Sequence, residues 1–202
     1  MLTLDHLAVA GETLEAAVAH VEDVLGVKMG PGGDHAHFGT HNQLLGLADG
    51  VYLEAIAANP AVERLPYPRW FDLDRLKGAP RLGNWICRSD DLCTELARLD
   101  VDAGKVIHLA RGDLRWRMAV PDSGMLPYDN CFPALIQWDV AVTPAEILTP
   151  SGVALTRIEV AHPKATDLEK SVGLTDPRVV FVTGNPELQA TFDTPHGVRV
   201  LR

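Results

Sequence analysis

Several marks of common protein classes are scarce or missing in this sequence. It holds three cysteines in 202 residues. Cys87, Cys93 and Cys131 cannot all pair, and they show neither CxxC spacing nor a neighbouring histidine tract. Neither a disulfide framework nor a cysteine-type zinc site is expected. Cys87 lies in an apolar run and reads as small core filler. No stretch approaches the ~20 apolar residues of a membrane helix. The first residues lack a charged start and an unbroken apolar run, so no signal peptide is read there. A reducing cytoplasm is the expected location. Basic residues are few, and the formal net charge is −9. Nucleic acid is therefore not an expected partner, because its recognition needs clustered Lys and Arg. There is no GxGxxG, no Walker loop, no GxSxG elbow and no HExxH, so a nucleotide-cofactor enzyme is not supported. What remains is 47% hydrophobic, enough to bury one compact domain or two small fused ones.

The pattern along the chain is β-α-β-β-β. Leu2–Ala10 alternates and reads as a strand. Thr13 caps a helix whose stripe is Leu14, Ala17, Val18, Val21, Val24 and Leu25, ended by Gly26. Gly30-Pro31-Gly32-Gly33 reads as a loop. Strands are expected at His35–Phe38, Asn42–Leu47 and Val51–Ala57, the last two joined through an Asp49-Gly50 turn. Residues 58–82 carry Pro60, Pro66, Pro68 and Pro80 and read as an ordered connector. Trp70-Phe71 would be its apolar anchor, with one helical turn near Asp72–Leu76. The pattern then restarts. A strand at Asn84–Arg88 is followed by a helix capped by Ser89-Asp90-Asp91, with Leu92, Leu96 and Leu99 as its stripe. Strands follow at Val106–Leu109, Leu114–Val120 and Ala134–Val140. His6 to Glu54 spans 48 residues and Trp85 to Gln137 spans 52, which suggests a repeat. A third, partial copy is expected from Leu155–His162, Thr166–Gly173, Val179–Thr183, Gln189–Asp193 and Val198–Leu201. The expected division is one domain over 1–202. It comprises a first module at 2–57, the connector at 58–82, a second module at 83–140 and a third partial module at 154–202. The third would cover a sheet edge or assist a homodimer.

Alternation also sorts candidate site residues. Leu7 and Val9 should face the helix, which leaves His6 on the other face, and Tyr52 and Glu54 share a face of the fourth strand. An imidazole and a carboxylate on two strands of a curved sheet suit zinc, iron, manganese or nickel. A paired histidine and a salt-bridged glutamate are the bland alternative. Gln137 falls at the Glu54-like position, as a weak oxygen ligand or a substrate partner, and Trp85 at the His6-like one. His35 and His37 would share a strand face, with His41 in the turn after them. The cluster Arg111–Arg117 stands out in an acidic chain. Arg115 and Arg117 share a face opposite Leu114 and Trp116, where two guanidinium groups can clamp a carboxylate or phosphate. A structural ion pair is the alternative.

The segments LDHLAVAGETLEAA, HFGTHNQLLGLADGVYLEAIAANP, GAPRLGNWICRSDDL and ARGDLRWRMAVPDSGMLPYDNCFPALIQWD, with the late LTRIEVAHP and FDTPHGVRV, resemble the glyoxalase-like family of the vicinal oxygen chelate superfamily. The resemblance implies an α+β fold in which paired βαβββ modules form a U-shaped sheet around a cavity. It implies metal ligands on first and fourth strands, which His6 and Glu54 match, with Trp85 and Gln137 at the other two places. Trp85 is not a ligand type. Two functions follow from the resemblance. One is an isomerase, lyase or ring-cleaving dioxygenase. In it a divalent metal on His6, Glu54 and Gln137 acts as Lewis acid, with His6 or Glu54 moving the proton. Arg115 or Arg117 would then orient an anionic substrate near Tyr52, Trp85 and His41. The other is a metal-free protein that sequesters small molecules, of the bleomycin-resistance type. A dimeric interaction protein with a vestigial cavity is a third option. Fold alone does not choose among them.

Overall fold

A computed structural model describes all of residues 1–202. Strand β1 (Thr3–Ala10) leads into α1 (Leu14–Leu25). Thr13 Oγ1 accepts a hydrogen bond from Ala16 N at 3.2 Å, and Gly26 ends the helix in the left-handed region with φ 72°. The helix buries Ala17, Val21 and Leu25 against the sheet. Strands β2 (Gly30–His35), β3 (Thr40–Gly46) and β4 (Tyr52–Ala58) complete one βαβββ unit. The second unit repeats the order with β5 (Arg81–Arg88), α2 (Leu92–Arg98), β6 (Lys105–Arg111), β7 (Leu114–Val120) and β8 (Ala134–Trp138).

The two units share one curled sheet of order β2-β3-β4-β1-β5-β8-β7-β6. Strands β1 and β5 lie antiparallel at its centre, and each pairs in parallel with the last strand of its own unit. A pseudo-two-fold axis therefore passes between β1 and β5. The curl brings the outer strands β2 and β6 toward each other. After α3 (Pro144–Ile147), the chain forms β9 (Ala154–Ala161), α4 (Ala165–Val172), β10 (Val179–Val182), β11 (Glu187–Thr194) and β12 (Gly197–Leu201). This last unit has its own sheet, of order β10-β9-β11-β12. Here the strand after the helix returns beside the first one in parallel. In the first unit the corresponding strand ends three positions away. The element order matches but the pairing does not.

Two stretches differ from the pattern read in the sequence. Gly30–Gly33 is not a loop but most of the edge strand β2. Close approach explains the glycines. A Cβ at Gly32 would lie 2.0 Å from the Asn42 carbonyl oxygen, and one at Gly33 would lie 2.9 Å from Cδ of Arg111. His35–Phe38 is not a strand. His35 ends β2, and the chain turns through 36–39 with Gly39 at φ 54°. His35 is buried, and His37 stands exposed against Tyr67, ring centroids 5.2 Å apart. In the connector the helical turn is a run of hydrogen-bonded turns over 70–76 that opens with Phe71 and Asp72 in the left-handed region. Trp70 stacks on Phe38 at 4.5 Å, and this anchors the connector over the mouth of the sheet. No helix is long and apolar enough to cross a membrane.

Candidate functional site

The concave face of the first unit carries His6 from β1, Asn42 and Leu44 from β3, and Tyr52 and Glu54 from β4. Cross-strand register fixes the set: Glu54 lies beside Ala8 on one side and Leu44 on the other, and Tyr52 lies beside His6. The Tyr52 and His6 rings stack at 4.3 Å. A register shift between Leu4 and His6 gives β1 an extra residue against β5. In a regular strand Asp5 and His6 would point to opposite faces. Here the Asp5 carboxylate reaches His6 Nδ1 at 2.6 Å. Asp5 also accepts from Trp138 Nε1 at 3.1 Å and from Arg88 at 3.5 Å. Burial pushes its carboxyl pKa up, but the hydrogen bonds and charges of His6, Trp138 and Arg88 outweigh this and hold it below the usual value. An ionised Asp5 fixes the proton on Nδ1 and turns the bare Nε2 toward the cavity.

His6 Nε2 lies 3.8 Å from Glu54 Oε2. The other Glu54 oxygen accepts from Asn42 Nδ2 at 2.5 Å. Asn42 Oδ1 in turn accepts from Gly33 N and from Arg111 Nη1, each at 2.9 Å. Arg111 thus reaches from β6 across the seam to β3, and it also points a nitrogen at His35 Nε2, 3.3 Å away. Burial and the Arg111 charge push the His35 pKa down to about 3, so its imidazole is neutral. Arg111 makes no salt bridge; its hydrogen-bond partners are the neutral Asn42 and His35 side chains.

The second unit's concave wall is mostly apolar: Trp116 and Met118 from β7, and Ile136 and Trp138 from β8. This reverses the phase expected for three residues. Arg115 and Arg117 point outward, away from Trp116. Arg117 binds Asp139, with a nitrogen–oxygen distance of 2.6 Å, and Arg115 donates to the carbonyls of Gly112 and Leu114. Gln137 also points outward, where its Oε1 accepts from Leu92 N at 2.9 Å at the start of α2. Trp85 is fully buried on the convex side. Its Nε1 donates to the Cys131 carbonyl, and its ring meets Phe181 of the second sheet at 6.1 Å. His41 lies on the helix-facing side of β3, near Glu15 of α1. Of the candidate residues, the cavity brings together His6, Glu54 and Tyr52, and leaves out Trp85, Gln137, His41, Arg115 and Arg117.

The residue at the His6-like place is Asn84. His6 pairs with Ile86 and Ala8 with Asn84, the pattern a two-fold axis gives when His6 and Asn84 are mates. In sequence, Leu82 stands two residues before Asn84 as Leu4 stands two before His6. Asn84 is 1% exposed, and neither end of its carboxamide meets a protein partner. Asn42, His35 and Arg111 were also missed as a linked set.

Donor chemistry decides whether a divalent cation fits. The oxygens of Asp5 and one oxygen of Glu54 are engaged as described, and so are both ring nitrogens of His35. His6 Nε2 and Glu54 Oε2 remain. No third His, Cys, Asp or Glu joins them. A catalytic zinc-type site takes three protein ligands. The residues present do not form that set.

The glyoxalase-like domain family model matches residues 4–173. The chain belongs to this family. The fold is similar to a hypothetical protein from Staphylococcus aureus at TM-score 0.60 and 13% identity, over 96% of this chain and 82% of that one. A methylmalonyl-CoA epimerase from Mycobacterium tuberculosis aligns at TM-score 0.44 and 20% identity, over 69% of this chain and 88% of that one. No functionally curated protein matches the sequence.

Proposed function

We propose that the chain is a small-molecule enzyme of the isomerase or lyase type, moving a proton on carbon next to a carbonyl without a resident metal. The carrying observation is the 3.8 Å approach of His6 Nε2 to Glu54 Oε2 on the wall of one cavity, with Asp5 behind the imidazole. His6 Nε2 is the base. Its Nδ1 proton stays on the Asp5 side, and the ionised Asp5 stabilises the imidazolium that forms. The imidazolium passes the proton to Glu54 Oε2, and the Glu54 acid returns it to the enolate at the other end, with Asn42 holding its second oxygen still. The Arg111 guanidinium, hydrogen-bonded to neutral side chains, favours the enolate and an anionic substrate. Ring cleavage, which needs a redox metal, is not favoured by this donor set. A binding role of the sequestering type is the second reading, favoured by the aromatic wall of Tyr52, Trp70, Trp116 and Trp138.

The test is proton exchange. The metal-analysed protein is incubated in D2O with a panel of 2-oxo acids, 1,3-dicarbonyls and thioesters, and deuterium at the α-carbon is followed by mass spectrometry. Exchange should survive chelation and fall about 10²–10⁴-fold in His6→Gln and in Glu54→Gln. Exchange that depends on an added metal, or that both variants retain, overturns the reading. Tight binding with no exchange favours sequestration.

A further inference from the structure

The cavity at His6 and Glu54 holds about 30 Å³, room for a water or two and no substrate. A second cavity of about 640 Å³ lies between the connector, His20 of α1, the starts of β5 and β11, and the last residues of β12, and shares Phe71 with the first. That volume suits a metabolite. Phe71 is a wall of both spaces. It is also a bulky residue in the left-handed region, at φ 58°, followed by Asp72 at 56°. Across the large cavity, Asp129 and Asn130 have φ 54° and 67°. Four of the six non-glycine residues with positive φ thus line this cavity. Held strain of this kind gathers where a ligand is clamped or a segment switches. His20 contributes a buried Nε2 with no protein partner.

We propose that the large cavity receives the body of the ligand whose reactive end reaches His6 and Glu54, and that Phe71 is the movable partition between the two spaces. This rests on the reading of the His6–Glu54 site given above. The occupant is an amphipathic organic anion. Leu82, Leu188 and Val200 give the cavity an apolar wall, and Arg81 and Arg202 stand at it without ion pairs. Of the three acids there, Asp72 is bound to Arg75, Asp129 lies 3.1 Å from His162, and Glu187 has no ion pair, so two unpaired guanidinium groups stand against one unpaired carboxylate. Rotating Phe71 away from the small cavity joins the two volumes, and a partition that is mostly shut lowers apparent affinity by the open fraction.

Naphthalene-2-sulfonate is the probe, with neutral 2-naphthol beside it, and binding is followed by NMR of the Leu188 and Val200 methyls and the His6 imidazole. In the wild-type chain the sulfonate should move the two methyl signals, and 2-naphthol should bind more weakly. Phe71→Gly keeps the left-handed backbone and removes the ring. It should tighten binding about tenfold and bring the His6 signals into the response. Val200→Trp should fill the cavity and abolish the Leu188 shift. Unmoved methyls in both wild type and Phe71→Gly overturn the site. Unchanged affinity and a silent His6 in Phe71→Gly overturn the partition. Equal binding of 2-naphthol overturns the anionic class. If the glycine variant does not fold, Phe71→Leu gives the same readouts with a smaller gain. None of these signals depends on turnover, so a failed proton-exchange assay leaves them intact and the two readings fail separately.

Discussion

The two units of the eight-stranded sheet have the same element order and opposite concave faces. The first places His6, Asn42, Tyr52 and Glu54 on its wall, and the second places Trp116, Met118, Ile136 and Trp138 there. One unit holds the titratable groups and the other shapes the space around them. Arg111 is the exception, and it serves the first unit by crossing the seam to Asn42 and His35. Duplication of a fold therefore need not duplicate a site. A donor set that needs both halves is incomplete once one half turns apolar.

Adding a carboxylate from the second unit is the hardest test of that contrast. Ile136 is 2% exposed and lines the same cavity as His6 and Glu54. Ile136→Glu puts an unpaired acid there. We expect a loss of about 3 kcal/mol or more in the metal-free protein. With His6 and Glu54 it also supplies a third donor, so micromolar zinc or nickel should return most of the loss in a thermal melt. A variant that melts at the same temperature with and without metal would mean that the two halves do not face a common point.

The first unit should also show its buried histidine in the pH dependence of stability. In the unfolded chain His35 binds a proton near pH 6.5, and in the fold only near 3. Between those values the unfolded state holds more protons, so stability falls as the pH falls. The slope contributed approaches about 1.4 kcal/mol per pH unit. Denaturant titrations from pH 7 to 4 should show this slope, and His35→Gln should flatten it. An unchanged slope would mean that His35 is protonated in the fold.

The first unit was the more legible one, for physical reasons. Leu7 and Val9 are bulky and pack under the helix, so alternation along β1 and β4 located His6, Tyr52 and Glu54. In β8, Ala134, Leu135 and Ile136 are all buried. A strand covered on both faces carries no readable phase, so Gln137, expected on the concave wall, points outward. On β7, alternation grouped Arg115 with Arg117 correctly but could not say which side was concave. The register shift at Asp5 leaves no local mark in sequence. The glycines of β2 answer to Asn42 and Arg111, far along the chain, so they read as a loop. Asn84 has only a faint mark in sequence, Leu82 standing two residues before it as Leu4 stands two before His6.

Asn84 gives a smaller effect with an informative sign. Its carboxamide is buried with no protein partner. Asn84→Leu has similar volume and removes the unsatisfied groups, so it should stabilise the fold by about 1 kcal/mol. In a chain of this size that is roughly 2–4 °C in the melting temperature. If the two-fold mate of His6 serves a ligand, the same variant should lose proton exchange while it gains stability. A lower melting temperature would show that Asn84 has a structural partner.

Arg117→Ala should have the smallest effect, and it separates the two faces of the second unit. Arg117 is partly exposed, and its carboxylate partner Asp139 is as accessible. The Asp139 hydrogen bond holds the guanidinium pKa up, but water and salt screen such a pair. The melting temperature should change by no more than about a degree, and less in high salt. Probe binding and proton exchange should match the wild type, because the guanidinium points away from Trp116 and the cavity. Arg111→Ala, from the same cluster in sequence, should lose the exchange. If Arg117→Ala also loses it, the outward face of β7 takes part in the site, and the division between a chemical half and a shaping half does not hold.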